Sequence, residues 1–560
     1  MNRLPFQRTK PGDKAEADVP AAEIPKRLAD PHLNLTSMLV WVCTAFLVLS
    51  LGYSTYFHIA VDVLPFDDAF ITYRYVDKVL DGKGLVYNEG ERVFGTTTPL
   101  YLLWLCVLKL ALGSVPVPAL AVRCNVLFHV VSALAVLALI RTMSGRVVLA
   151  LLGASLFCLD MSMLQISTGG MESFLFVALA LWSAWALTAH RFGLAAALAS
   201  LSMLARPEGI FSVAVCVLAW TLRGRSRFVK FGVFLLFPVL AWVGFATLYF
   251  GTPIPHSIIA KNRPLYPLPP GSALSTILYS IGCWPCADRT GCFGYLCLIL
   301  SLGLVPLAGY ACVRYTAARR RSAWIPVALL SFYLLFYLFA NPLVFPWYMP
   351  HIYATWFLTL ILGLPWFGAQ TEALIRRNAH LRVGRAKAEN LLLVLVLLVL
   401  TVSILKPYRL YWSSGERIAD SIKTPARQRT IGYKKAAEWL NGVALASATV
   451  AASEIGAFGY YWQGRILDAC GLISPSAIPF LPVPKEQRSD VTVGAISTGF
   501  VEATTPDYVA TMSCFADRSL LQSGWFLSHY KLINEVPLPA ECWGSEHVLL
   551  FQREDPRLEE

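Results

Sequence analysis

Long apolar runs separated by short basic loops carry the chain to about residue 408, and a more polar, mixed pattern follows. The first run, Leu35 to Val61, exceeds the roughly 20 residues a helix needs to cross a bilayer. Before it, residues 1–35 hold Arg3, Arg8, Lys10, Lys14, Lys26 and Arg27 among Pro and Ala, the pattern of a disordered cytoplasmic tail. No small-residue cleavage signature follows the run, so it reads as an uncleaved span. Its exit places residue 62 onwards outside the cytoplasm.

The next apolar run, Pro99 to Gly113, decides the topology. It is about 15 residues long and carries Lys109, short of a span. Read as an interfacial helix capped by Thr98 with Pro99 at its first position, it puts every strong basic loop in one compartment. Spans near 118–140 and 147–165 then enclose Arg141 and Arg146, and those near 172–189 and 192–205 enclose Arg191. The pair near 207–222 and 229–250 encloses Arg223, Arg225, Arg227 and Lys230. Spans near 291–313 and 323–341 flank Arg319, Arg320 and Arg321; those near 347–367 and 389–406 flank Arg376 to Lys387. The expectation is about eleven spans. The N-terminus is cytoplasmic, a membrane module covers 36–407 with an outer loop at 62–116, and a domain at 408–560 lies outside.

In that domain, Ala426–Asn441 reads as a helix. Ala448–Ala452, Gly464–Asp468, Tyr530–Val536 and His547–Gln552 read as strands, giving a small α/β fold. Cys283, Cys286 and Cys292 have spacing open to redox or metal chemistry, but outside the cytoplasm a disulfide is the simpler use.

Composition agrees with the pattern. The 560 residues are 56% hydrophobic and 15% charged, with mean hydropathy +0.55, which excludes an ordinary soluble domain. The net charge of +12 resides mostly in short loops between spans and implies membrane lipid, not nucleic acid, as the partner surface.

Candidate chemistry gathers outside. From Asp67 to Asp81 the chain is amphipathic at helical spacing, with Asp67, Arg74, Asp77, Lys78 and Asp81 on one face and Ala69, Tyr73, Val76, Val79 and Leu80 towards the other. Such a helix beside a span is expected to lie in the interface with its apolar face down. Asp67 and Asp68 at its leading end suit acid/base work, and equally suit an N-cap. They are also the place where oxygen ligands could hold a divalent cation; no other cofactor is expected. The same side receives Glu172, the Arg206-Pro207-Glu208 turn, His256 with Lys261, and Trp347-Tyr348 with His351. The glutamates alone suit first-turn helix acids. Together the groups describe an outward cavity with carboxylates for proton transfer, cations for a phosphate and aromatics for a sugar face.

The stretch Asp67-Asp68-Ala-Phe-Ile-Thr-Tyr-Arg74-Tyr, running on through Gly84-Leu-Val-Tyr-Asn-Glu-Gly-Glu-Arg92 to Gly95-Thr-Thr-Thr-Pro99, resembles the first outer loop of bacterial GT-C glycosyltransferases. These use polyprenyl-phosphate sugars, and the mycobacterial cell-wall arabinofuranosyltransferases are relatives. Gly170-Met171-Glu172, Ala205-Arg206-Pro207-Glu208-Gly209 and Glu454-Ile-Gly456-Ala-Phe-Gly459 resemble further blocks of such proteins. Phe94-Gly-Thr-Thr-Thr departs from the Glu-Gly-Tyr-Thr-Asn of many relatives, so neither sugar nor acceptor follows.

The resemblance implies a helical polytopic membrane protein of GT-C type in the bacterial cytoplasmic membrane. Its implied partners are a polyprenyl-phosphate sugar donor and a glycan or lipid acceptor. The implied reaction is an inverting transfer in which an acid of the first loop, Asp67 with Asp68 beside it, takes the acceptor proton. Arg74, Arg206 and Lys261 are the candidates for offsetting the departing phosphate. A lipid transporter or flippase is the rival from another class. It is expected to carry ionisable residues at the bilayer midplane and internal repeats, and neither pattern is evident here.

Overall fold

The computed structural model describes residues 31–60, 64–223, 228–262, 268–282, 302–314, 324–378, 425–489 and 494–554. The basic tail, the span expected near 389–406 and Cys283, Cys286 and Cys292 lie outside the described residues.

The chain is mostly helical, with a small sheet domain at its C-terminal end. Within α1 (Pro31–Ala60), α4 (Val117–Ser144), α10 (Phe228–Phe250) and α15 (Pro350–Asn378), the stretches Ser37–Ala60, Val117–Ser144, Val229–Phe250 and Pro350–Gln370 are long and apolar enough to cross a membrane. α5 (Val147–Leu159) and α6 (Met161–Ser167), bent by 55° between them, are together long and apolar enough for a broken span or a re-entrant loop. The bend falls at Asp160, whose extended backbone stops α5 and whose carboxylate accepts the N–H of Met163 at 2.9 Å to start α6. Large apolar side chains on these helices face outwards; Trp41 is 74% and Leu248 89% exposed, surface that lipid covers and water would penalise.

Shorter apolar helices pack among them. α7 (Ser173–Thr188), α8 (Phe192–Ala205), α9 (Ile210–Arg223) and α14 (Trp324–Ala340) fall at the positions expected for spans, but each is shorter than a straight crossing requires. α3 (Pro99–Ala111), 13 residues long, begins with Pro99 in its first turn, as its sequence pattern indicates.

α2 (Ala69–Leu80) departs from the expected interfacial helix. Ala69, Tyr73 and Val76 on its apolar side are buried, yet Arg74 on the polar side is buried too, at 4% exposure. The C-terminal domain covers that polar side, so the helix is clamped between two layers and does not lie open to water.

The C-terminal domain is built on a five-stranded sheet in the order β2-β1-β3-β5-β4: Thr449–Ala452 is β1, Arg465–Asp468 β2, Tyr508–Met512 β3, Tyr530–Cys542 β4 and Ser545–Arg553 β5. β2, β1 and β3 are parallel; β5 runs antiparallel to both β3 and β4. β3 is buried at all five positions, which explains why it shows no alternation in sequence. Helix Pro425–Asn441 packs on the sheet and turns its other side towards the membrane module. The buried core is continuous from Phe70 and Tyr73 of α2 to Phe458 and Ile466 of the C-terminal domain.

Candidate active site

The loop that carries α2 is held from both sides. From the membrane side, the carbonyl of Gly169 accepts the N–H of Phe66 at 3.0 Å. The carbonyl of Gly170 accepts the hydroxyls of Tyr73 and Tyr101 at 2.7 and 2.9 Å. Gly170 has φ +72°, a conformation that favours glycine, and a side chain there would strike Pro65 and Tyr73. From the other side, Asn88 acts as one more strand residue for β2: its amide donates to the carbonyl of Ile466 at 2.9 Å and accepts the Ile466 N–H at 3.1 Å.

Arg74 is the strongest link between loop and domain. Its guanidinium donates to the carbonyl of Tyr87 in the loop and to those of Gly459, Trp462 and Gly464 in the domain. It also lies over the Tyr87 ring at 4.7 Å. All its hydrogen-bonding groups are engaged by protein, and it is not among the residues lining the cavity described next.

Asp67 and Asp68 are adjacent but face different surroundings. Asp67 is 2% exposed, and its two carboxylate oxygens accept the N–H groups of Gly456 at 3.2 Å and Ala457 at 2.8 Å. Burial pushes its carboxyl up to about 6, against the pull of the Arg429 charge and those N–H groups. Asp68 is half-buried and lines an open cavity of about 480 Å³. Burial raises its carboxyl too, opposed by the charges of Arg429 and Lys261.

The cavity collects groups from segments far apart in sequence. Glu172, at the start of α7, and Glu208, in the turn after α8, both pair with Arg206. Arg206 Nη1 lies 2.7 Å from Glu172, and Nη2 and Nε reach the two oxygens of Glu208 at 2.8 and 3.3 Å. Its guanidinium also sits 4.9 Å from the Tyr348 ring centroid. Trp347 and Tyr348 close one wall; Ile210, Phe211, Phe336 and Tyr337 form an apolar one. Lys261, on the short helix α11 (His256–Asn262), donates to the Tyr348 hydroxyl at 3.3 Å. Among the described residues Lys261 makes no ion pair, so it is the lining cation whose charge is available to a ligand. Thr96, Thr97 and Thr98 complete the rim, with Leu472 from the C-terminal domain.

Seven of the eleven expected site residues therefore line one cavity: Asp68, Glu172, Arg206, Glu208, Lys261, Trp347 and Tyr348. Asp67, Arg74, His256 and His351 do not line it. His351 is buried between Phe176 and Tyr333, with ring centroids 5.1 and 4.5 Å away. His256 is fixed through its backbone N–H to the carbonyl of Phe94.

The sequence gives no sign of a role for Arg429, which is buried, acts on both aspartates through its charge and lies 2.7 Å from Glu454. Burial raises Glu454 to about 8 against the pull of Arg429. An Arg-Gln-Arg run on a helix reads as solvated, and only the docking of the domain shows otherwise. As for a divalent cation, both oxygens of Asp67 are engaged by backbone N–H groups, and of the two aspartates only Asp68 lines the cavity. Among the described residues no group of three His, Cys, Asp or Glu could hold a metal ion.

Residues 420–551, which take in most of the C-terminal sheet domain, match the family model described as Domain of unknown function (DUF8728). No curated protein matches the chain. Among solved structures it is similar to the crystal structure of ArnT from Cupriavidus metallidurans in the apo state, with TM-score 0.49 and 11% identity over 93% of this chain and 98% of that one. Similarity at that level assigns no activity and no residue role.

Proposed function

We propose that this chain is a membrane glycosyltransferase of GT-C type. It moves a sugar from a polyprenyl-phosphate donor to a hydroxyl of a cell-envelope glycan or lipid at the outer face of the cytoplasmic membrane. One observation carries the reading: a single cavity joins a half-buried carboxylate, an available cation, a fixed acid–guanidinium cluster, an aromatic wall and an apolar wall. A lipid phosphate bearing a sugar asks for that set.

In the proposed reaction, the acceptor oxygen attacks the anomeric carbon as the bond from that carbon to the phosphate oxygen breaks. The phosphate leaves with the bonding electrons and the configuration inverts. Asp68 takes the acceptor proton and Lys261 offsets the charge on the leaving phosphate. Arg206, fixed by Glu172 and Glu208, orients Tyr348 against the sugar. The apolar wall receives the first part of the isoprenoid chain. Asp67 positions Asp68 by tying the turn to Gly456 and Ala457. Of the two aspartates, the one aimed at the cavity is the better base, because a carboxylate already accepting two N–H groups has less capacity to take a proton.

The test uses purified protein, a polyprenyl-phosphate sugar and an envelope acceptor, with released polyprenyl phosphate as readout. Asp68→Asn is expected to lower turnover roughly 100-fold or more with folding intact. Asp67→Asn is expected to act mainly through weakened attachment of the outer domain. Near-normal turnover by folded Asp68→Asn would remove it as base. No polyprenyl phosphate released by the wild type with any envelope acceptor would remove the transferase reading.

A further inference from the structure

Four threonines share the cavity with Asp68: Thr72 on α2, and Thr96, Thr97 and Thr98 on the rim. Asp68 stands at the N-cap position of α2 yet makes no capping hydrogen bond, so its carboxylate is left to the cavity. Asp68 and Thr72, at i and i+4, share one helix face about 6 Å apart along the axis. Thr72 is 8% exposed. Among the described residues its hydroxyl forms no hydrogen bond, and it is not sealed from the cavity as the partnerless hydroxyl of Ser257 is.

The rim is fastened to the same helix. Tyr75 of α2 donates its hydroxyl to the carbonyl of Val93 at 2.9 Å and accepts the N–H of Gly95 at 3.1 Å. Within the rim, Thr96 Oγ1 accepts the N–H of Thr98 at 3.3 Å and lies 3.4 Å from the Thr98 hydroxyl. Thr97 between them is half-buried, and among the described residues its hydroxyl forms no hydrogen bond. Two unmet hydroxyls beside a carboxylate, on segments tied to one another, suit a ligand rich in hydroxyls, since each can donate to one oxygen and accept from another. The cationic and apolar parts of the cavity come from other elements: Lys261 from α11, Ile210 and Phe211 from α9, Phe336 and Tyr337 from α14. An alkyl chain laid against the threonines would strip water from their hydroxyls and return no hydrogen bond.

We propose that Thr72 and Thr97 bind the acceptor, and that the acceptor is a sugar unit and not a lipid alcohol. Asp68 faces the reacting hydroxyl while Thr72 and Thr97 hold hydroxyls beside it on the same sugar. The inference rests on the transferase reading for the role of Asp68 and narrows its choice between glycan and lipid. A site built to hydrogen-bond a hydroxyl rejects an analogue that lacks it, so these threonines act as specificity determinants.

Two measurements on the full-length protein in neutral detergent test this. The first is binding without turnover, by saturation-transfer NMR titration with methyl pentofuranosides and methyl hexopyranosides, each beside its deoxy analogues. The wild type is expected to bind at least one glycoside. The Thr72→Val, Thr97→Val double variant keeps both β-branched shapes and is expected to bind it about tenfold more weakly, the scale of two lost neutral hydrogen bonds. The deoxy analogue lacking a contacted hydroxyl is expected to lose affinity for the wild type, with no further loss at that hydroxyl in the variant. The second measurement follows released polyprenyl phosphate with that glycoside as acceptor. Thr72→Val is expected to raise KM for the glycoside roughly 3- to 10-fold while KM for the donor stays put. Glycoside binding by the wild type with no polyprenyl phosphate released would keep the sugar site and end the transferase reading. No glycoside bound by the wild type, equal binding by the folded double variant, or a rise in donor KM in place of glycoside KM overturns the proposal.

Discussion

Replacing Arg74 by Lys separates two uses of one cation. As a phosphate ligand, Arg74 would be mimicked by Lys at modest cost, because an ammonium still supplies the charge. As a link between loop and domain, it would not, because four carbonyls from Tyr87, Gly459, Trp462 and Gly464 converge on the guanidinium. A lysine ammonium has three donors on a flexible stem and cannot reproduce the planar fork. At least one buried carbonyl is left unmet, and a second is met with poor geometry, each worth ~1–3 kcal/mol. The expected loss in domain attachment is therefore about 2–5 kcal/mol, a large part of the ~5–15 kcal/mol that holds an ordinary domain together. Hydrogen exchange at 456–468, with protease sensitivity of the outer domain, measures it. The expected result is exchange at those amides faster by roughly 30-fold or more, while the helices α4 to α8 keep their protection. Unchanged exchange in Arg74→Lys, with donor affinity reduced instead, would refute the argument and return Arg74 to the phosphate.

Arg206→Lys removes the fork that holds both oxygens of Glu208 and one of Glu172. About 1–3 kcal/mol of thermal stability in detergent is expected to go with it, together with donor affinity. Gly456→Ala places a methyl against the carbonyl group of Asp67, where backbone meets backbone and neither can step aside. A loss of ~1–3 kcal/mol in domain attachment is expected, read by the same proteolysis assay. Glu454 has its carboxyl raised to about 8, well above the unfolded value near 4.3. The folded state therefore binds the extra proton, so stability is full below about pH 4 and falls as pH rises towards 8. Glu454→Gln is expected to flatten that decline, checked by melting temperature at pH 5 and 8; parallel curves for both proteins would contradict it.

The architecture was legible where one local signal sufficed. Apolar length marked α1, α4, α10 and α15, Pro99 marked the start of α3, and four of the five strands stood out by composition and flanking turns. β3 was missed because both its faces are covered, which removes the alternation that identifies a strand. Most of the cavity was legible too, since topology alone sends Asp68, Glu172, Arg206, Glu208, Lys261, Trp347 and Tyr348 to one side. What sequence could not supply was which cation or carboxylate is already engaged. Arg74 and Asp67 read as polar-face residues of an interfacial helix, and only the domain laid over that face turns them into anchors. Arg427 and Arg429 were hidden for the same reason: a helix that buries two of its arginines against a partner looks, residue by residue, like one that faces water.

The contacts from Asp67 to Gly456 and Ala457 join positions 389 and 390 residues apart. That separation has a consequence for how the protein is made. The loop that carries Asp67 is made early in synthesis, while its anchoring partners are still untranslated for about 20–80 s at 5–20 residues per second. During that interval Asp67 and Arg74 have none of their outer-domain partners, and the turn carrying Asp68 is not fastened. The turn that carries Asp68 is therefore fastened only after residues 456 and 457 have been made. On the proposed transfer reading, a copy truncated before residue 456 is expected to be inert, and translation of the sheet domain acts as a built-in delay on activity.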